Sequence, residues 1–386
     1  MILVVEPECK GYSHIDFNTS IIRTLVNSGE QIIFIGDSTH IAILKQKCQS
    51  NVSFFSLKTT NVNKNLFYRL IIDFIFIFKI FSIAKINKTS KVIFLSCNAP
   101  NLYVIKLFSW INSNLYIDVY VHGILEEIAT GKPYLGYRNP FNWYKILFWF
   151  GWPFLLPAPH TFRFILLSPS MCKEVRKIYR NFKIRLDAIT HPIPDLYYEQ
   201  KKNILINSRP ILRLAWFGIL NHAKGGSDFK RLIEAVTLAN APVSFDLLGF
   251  CNDPSLDLPT NLKLHGDPTH FLSDMKIQQV VPLIDYAIFT YPANSYKLTA
   301  SGALCTALGY SIPVLCLENN YFRDFFIMYG DIGKMYKNIE DLKEDLIKNT
   351  NELIKASNKY VENITNLKNI INTQNQKIIC NKIKGW

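Results

Sequence analysis

Two doubly wound, Rossmann-like α/β domains are predicted for this chain, on three observations. Short, continuously apolar stretches alternate with helix-like patterns in both halves of the sequence, as expected of parallel strands covered on both faces. The series is interrupted once, by His191-Pro192-Ile193-Pro194-Asp195 and a polar run from Tyr198 to Pro210, and then begins again. The 386 residues, 49% of them hydrophobic, suffice for two cores of ordinary size. The predicted boundaries are 1–197 for the first domain, 198–209 for a linker, 210–365 for the second domain and 366–386 for a polar C-terminal helix or tail.

The first domain opens on Met1-Ile-Leu-Val-Val, the start of a buried strand over residues 1–6. The polar loop Cys9-Lys10-Gly11-Tyr12-Ser13-His14 leads into a helix over Asp16–Asn27. Gln31–Gly36, Lys91–Ser96, Leu115–His122 and Phe164–Ser168 are further strands, and Ser170 is expected to N-cap a helix running to Tyr179. Leu66–Ile86 is very apolar but contains Arg69, Asp73, Lys79 and Lys85. A spanning helix needs about 20 predominantly apolar residues, so a helix lying on a membrane, or a buried helix with a basic edge, is expected instead.

In the second domain, Leu212–Gly218, Ser244–Gly249, Leu262–Gly266, Tyr286–Thr290 and Val314–Leu317 read as strands. Ser227–Asn240 and Ser301–Tyr310 read as helices, and Ile339 onward as helix to the end. Two such domains on a short linker are expected to face a central cleft, with ligands beyond the carboxyl ends of the strands.

Charge and cysteines narrow the partners. The net charge of +13, from 43 basic and 30 acidic residues, favours anionic ones. No Lys/Arg run is long enough for a nucleic-acid arm. The basic residues are interleaved with aromatic ones in Phe67–Lys88 and Tyr134–Leu156, beside Arg69, Lys79, Arg138 and Lys145, which suits an anionic membrane surface. The same stretches are also consistent with a large apolar core carrying a basic rim. The eight cysteines show no C-x-x-C spacing and no Cys/His cluster, so reduced core thiols and no metal are expected. Nothing before the first strand resembles a signal peptide, so the expected location is cytoplasmic, peripheral on the inner face of the cell membrane.

Two stretches carry chemistry. Gly218-Ile-Leu-Asn-His-Ala-Lys224-Gly225-Gly226 follows a strand and precedes a helix. Its glycines allow close backbone approach to a phosphate, and Lys224 supplies charge, although the spacing is not that of a Walker A loop. Taken by itself it favours an ordinary turn with a solvated lysine. Ser301-Gly302 opens a helix of small residues (Ala303, Cys305, Thr306, Ala307, Gly309), whose free N–H groups and dipole suit a pyrophosphate. Tyr296 and Lys297, just upstream, are placed to contact the same ligand. The bland alternative is a tightly packed helix with Ser301 as a plain N-cap.

The order Gly218…Lys224-Gly225, Leu248-Gly249, Leu264-His265-Gly266, Asp285, Tyr291-Pro292, Ser301-Gly302, Pro313-Val314 resembles the nucleotide-sugar domain of GT-B glycosyltransferases. It is most similar to the large retaining group, of group-1 type, that builds bacterial polysaccharides. Ile165-Leu-Leu-Ser168-Pro-Ser170 and His191-Pro192-Ile193-Pro194-Asp195 are similar to the corresponding strand, helix and linker.

The resemblance implies a metal-independent transferase that uses a nucleotide-diphosphate sugar and no further cofactor. Its acceptor would be a glycan or a lipid-linked glycan of a surface polysaccharide such as O-antigen, capsule or lipopolysaccharide. It implies that Lys224 contacts the donor diphosphate, that Ser301 and Gly302 donate backbone N–H groups to it, and that Gly249 and the His265-Gly266 turn flank the nucleobase. His122 would lie on the acceptor side, and Gly11 would let the first domain close over the donor.

One departure stands out. The two glutamates usual in that group, eight positions apart, would fall on Leu298 and Thr306, and no Asp or Glu occurs between Asp285 and Glu318. Tyr296 or Ser301 would have to replace them. If the reaction inverts, a base is required; the candidates are His14, Asp16, His122, Glu126 and Glu127, with His122 foremost because it ends a buried strand next to Gly123. A pyruvyl or other transferase of the same shape, and a non-catalytic α/β scaffold, are the alternative readings.

Overall fold

The computed structural model of the protein describes residues 1–48, 51–58, 66–129, 149–196, 211–270 and 272–384. The linker expected at 198–209 and the stretch 134–148 of the expected membrane surface, with Arg138 and Lys145, lie outside the described residues. The chain divides into two compact units. The first comprises Met1–Pro192, Lys297–Ala300 and Thr373–Trp386, and the second Ile193–Tyr296 and Ser301–Asn372.

The first unit is a parallel sheet of β1 (Ile2–Val5), β2 (Ile32–Gly36), β3 (Val52–Ser56), β4 (Lys91–Phe94), β5 (Tyr116–Val121), β6 (Phe162–Leu166) and β7 (Arg185–Ala188), in the order β3-β2-β1-β4-β5-β6-β7. Its helices are α1 (Ile15–Asn27), α2 (Ser38–Lys47), α3 (Leu66–Ile86), α4 (Ala99–Ile111), α5 (Glu126–Ala129), α6 (Gly151–Leu155) and α7 (Pro169–Ile178). All four residues of β1 are buried, as are the four of β4, so these central strands cannot alternate apolar and polar. Each large aliphatic side chain so buried contributes about 1.5–3 kcal/mol.

Local rules set the helix starts. Asp37 accepts from the Thr39 N–H ahead of α2, and Asn98 from the Asn101 N–H ahead of α4. The cap of α7 is Ser168, which accepts from the Ser170 N–H, and not Ser170 as expected; Pro169 then takes the first helical position, where its missing N–H costs nothing. Arg69, read as part of a basic edge, turns inward to Glu8 (3.3 Å) and Asp73 (3.9 Å).

The second unit is a parallel sheet of β8 (Leu212–Leu220), β9 (Val243–Cys251), β10 (Leu262–Leu264), β11 (Tyr286–Phe289), β12 (Val314–Leu317) and β13 (Gly333–Tyr336), in the order β10-β9-β8-β11-β12-β13. Its helices are α8 (Gly226–Leu238), α9 (Asp274–Val280), α10 (Gly302–Gly309), α11 (Asn320–Tyr329), α12 (Ile339–Lys348) and the greater part of α13 (Thr350–Lys384). The single helix expected from Ile339 onward is interrupted at Asn349, which caps the C-terminus of α12. In both sheets the strand order reverses once, between β1 and β4 and between β8 and β11. Ligands of such sheets bind beyond the strand ends at these points.

Candidate functional site

In the second unit, close backbone approaches organise the reversal between β8 and β11. Gly218 lies in β8 with φ 79° and pairs in register with Gly249 of β9, where a Cβ would fall 1.8 Å from the Gly218 carbonyl oxygen. A Cβ on Gly218 itself would lie 3.1 Å from Cβ of Ala303, which places the first turn of α10 against this bend. Further along, Gly225 has φ 83°, and its Cβ would fall 1.9 Å from the Thr290 carbonyl oxygen. The Thr290 hydroxyl donates to the Gly225 carbonyl at 2.8 Å. The loop from β8 to α8 is therefore seated directly on the end of β11, in a geometry only glycine permits.

Within that loop Asn221 accepts from the Lys224 N–H (3.0 Å), and the Asn221 carbonyl accepts from the Gly226 N–H (2.9 Å). Lys224 is half-buried, no carboxylate pairs with it among the described residues, and burial lowers its pKa. Ser301 caps α10, its hydroxyl accepting from the Leu304 N–H at 3.2 Å and lying 3.4 Å from the Tyr291 hydroxyl. Tyr296, in a left-handed conformation (φ 59°), stacks on Tyr291 at 4.5 Å. A Cβ on Gly302 would meet nothing within 4 Å, so the helix N-terminus is open at that residue.

Two expected donor contacts have other engagements. The His265 imidazole lies 2.6 Å from the buried Asp246, which also takes Arg213 at 2.8 Å. Lys297 belongs to the first unit.

In the first unit, sequence reasoning passed over Glu6. Its fully buried carboxylate sits just beyond β1. One oxygen accepts from the N–H groups of Glu8 (3.0 Å) and Cys9 (3.1 Å) and from the Ser96 hydroxyl. The other accepts from Asn18 Nδ2 at 3.0 Å. Asn18 Nδ2 also lies 2.9 Å from His40 Nε2, and His40 Nδ1 lies 2.8 Å from the Gly11 carbonyl. That carbonyl can only accept, so His40 donates from Nδ1 and receives at Nε2. The chain from Glu6 to Gly11 thus fixes the loop after β1. The legible signal was a single carboxylate ending an all-apolar strand.

Glu6, Cys9 and His14 have potential ligand atoms within 4.8 Å of one another. They fit a metal poorly: the Glu6 oxygens already accept four hydrogen bonds, and burial, with Glu6 beside it, holds the Cys9 thiol protonated.

His122 stacks on His14 (4.4 Å) and meets the edge of Phe17 (4.6 Å), and His191 lies 5.3 Å from Phe17. His122 Nε2 lies 2.9 Å from the Leu95 carbonyl, so the proton is on Nε2 and the lone pair on Nδ1. Burial, with the neighbouring imidazoles, lowers the His122 pKa well below the ordinary range and brings His191 to about 4. His14, exposed at the surface, is lowered as well by the groups packed around it. His122 is therefore a neutral imidazole near pH 7, with its lone pair on Nδ1 and no proton to donate there.

The carboxylates proposed as bases are spoken for. Asp16 pairs with Lys47 at 3.1 Å. Glu126 accepts from the N–H groups of Lys297 (3.2 Å) and Leu298 (2.8 Å) and from the Thr299 hydroxyl (3.2 Å), while that hydroxyl also lies 3.1 Å from the Gly123 carbonyl. Glu126 holds the Lys297–Ala300 segment, with Leu298 fully buried in the first unit's core; this corrects its reading as an open base. The side chain of Glu127 lies outside the described residues.

No family model matches the chain, and no curated protein matches its sequence. Solved structures do. A glycosyltransferase from Rickettsia africae superposes with a TM-score of 0.60 at 14% identity, over 100% of this chain and 98% of its own. WaaG, a glycosyltransferase involved in lipopolysaccharide biosynthesis, gives 0.59 at 10% identity over 100% of both chains. HepE of Anabaena, in complex with UDP and glucose, gives 0.59 at 14% identity over 100% of this chain and 99% of its own. At these identities the likeness establishes the fold: two parallel α/β units in the GT-B arrangement of elements.

Proposed function

We propose that the protein is a glycosyltransferase that moves a sugar from a nucleotide-diphosphate sugar to a glycan or lipid-linked acceptor. Its setting in this reading is the assembly of a bacterial surface polysaccharide on the cytoplasmic side of the membrane. The observation that carries the reading is in the second unit. There, a loop with a half-buried lysine rests on the end of β11 through Gly225, and the strand leading into it meets the first turn of α10 at Gly218. Bound UDP and glucose in HepE, and the lipopolysaccharide role of WaaG, support the choice of donor class and pathway.

In this mechanism the second unit binds the donor. Lys224 and the N–H groups at the start of α10 stabilise the leaving diphosphate as its charge develops, which needs no metal ion. Tyr296 and Ser301 take over donor orientation from the absent glutamate pair: Leu298 is buried in the core, and Thr306 lies within α10. The first unit binds the acceptor, and, if the reaction inverts, Nδ1 of His122 receives the acceptor hydroxyl proton. Burial keeps that nitrogen unprotonated at neutral pH and at the same time makes it a weak base.

The test is thermal stabilisation by UDP, GDP, CMP, ADP and dTDP, followed by sugar-nucleotide turnover. A shift with one diphosphate that is lost in Lys224→Ala supports the donor site. Nucleotide binding without sugar transfer points to another transferase of this shape, such as a pyruvyl transferase. No shift with any nucleotide, in a well-folded sample, leaves the non-catalytic scaffold.

A further inference from the structure

One face of the first unit is apolar, open and ringed mainly by positive charge. On α3 the exposed residues Ile71 (59%), Phe74, Ile75 and Phe78 (52%) recur at helical spacing and form one stripe. On α4 a second stripe comprises Leu107, Trp110 (54%) and Ile111 (67%). Phe108 joins the two, its ring 5.6 Å from Phe74 and 6.0 Å from Phe78. The Trp110 indole donates to the Pro157 carbonyl at 3.4 Å, which ties α4 to the end of α6, where Trp152 and Leu155 are exposed. Leu155 and Pro157 continue into a shallow cavity of about 690 Å³ whose other walls include Lys177, Arg180, Phe182 and Lys183.

The charges at this face are mainly positive. In 66–86, 99–111, 151–157 and 174–184 the carboxylates are Asp73, which is buried beside Arg69, and Glu174, which lies 3.8 Å from Lys177. Lys79, Lys85, Arg176, Lys177, Arg180 and Lys183 are all exposed. A second copy of the chain docked face to face would bring like charges together, which opposes self-association. Trp and Phe side chains beside a cationic rim match the apolar and anionic layers of a lipid surface in order of depth. None of the described helices is long and apolar enough to cross a membrane. Arg69 and Asp73 interrupt α3, so the helix would lie along the surface.

We propose that the α3–α4–α6 face, with the basic groove at residues 177–184, is a docking surface for a bilayer containing anionic lipid. It deepens the reading of a lipid-linked acceptor and is measured independently of it, because nucleotide binding by the second unit succeeds or fails on its own.

The experiment is vesicle flotation of the full chain with phosphatidylcholine alone and with phosphatidylcholine–phosphatidylglycerol, at low and high salt, alongside light scattering without lipid. Binding is expected only to the anionic vesicles, weakened by salt. Removing a basic side chain near an anionic surface forfeits about 1 kcal/mol, so Arg180→Gln with Lys183→Gln should lower partitioning roughly tenfold or more. Ile111→Glu with Trp152→Glu should abolish it, whereas Leu238→Glu, at an 85% exposed leucine of the second unit, should leave it unchanged. Because all these positions are exposed, unaltered melting is expected throughout. Absence of vesicle binding, equal binding to neutral vesicles, binding unaffected by the face variants, or a dimer without lipid that Ile111→Glu dissolves would each overturn the proposal.

Discussion

The reassignment of Glu126 makes the sharpest prediction. Its carboxylate makes three hydrogen bonds, two to backbone N–H groups and one to Thr299, all from the segment that buries Leu298. A hydrogen bond to a charged acceptor is worth about 1.5–3 kcal/mol, and a stranded buried N–H costs a comparable amount. Glu126 is only half-buried, so water replaces part of what Ala removes, and about 2–4 kcal/mol of destabilisation is expected for Glu126→Ala. For a unit of this size that lowers melting by roughly 5–15 °C. Glu126→Gln keeps one acceptor oxygen but turns an NH2 group toward an N–H, and should cost about half as much. Calorimetry and guanidinium unfolding, read beside sugar turnover, are the assays. A structural holder moves stability in both variants, with Gln intermediate. Unchanged melting and unfolding midpoints together with abolished turnover in Gln and Ala alike would overturn the structural role and restore Glu126 as a base.

Other predictions follow from the same contacts. Gly225→Ala forces a Cβ into the Thr290 carbonyl at positive φ, so nucleotide-induced stabilisation should vanish and melting should fall, whereas Gly302→Ala, with open space around it, should fold normally. Lys224→Met should weaken diphosphate binding roughly tenfold or more by calorimetric titration, consistent with loss of a charge-assisted contact worth about 1.5–3 kcal/mol. Lys106 is buried against Phe162 and Phe164, with its ammonium on the carbonyls of Phe154 and Leu156, and burial brings its pKa from 10.5 down to about 7. Between those values the unfolded chain holds the Lys106 proton and the folded chain releases it, so stability should rise with pH over about 7 to 10.5. Lys106→Met should flatten that rise in denaturant titrations run across the range.

The repeating pattern of apolar strands and amphipathic helices was legible because burial on both faces of a parallel sheet demands it residue by residue. β1, β4, β8 and β11 could be read directly from runs such as Ile2-Leu-Val-Val. The glycine loop and the Ser301 cap were legible for a similar reason: left-handed backbone and a free helix N-terminus restrict residue type locally. Partners distant in sequence were not legible. Nothing in the sequence links Lys91, Asp118 and Arg163, yet they form one buried group across β4, β5 and β6, with Asp118 at 2.8 Å from Lys91 and 2.5 Å from Arg163. Glu126 and Asp16 looked like free carboxylates until the fold supplied Leu298 and Lys47, and His265 looked available until β9 brought Asp246 to it. Local backbone chemistry is written at each position of the chain, but whether a charged side chain is open to a ligand depends on which residue, tens or hundreds of positions away, the tertiary structure sets against it.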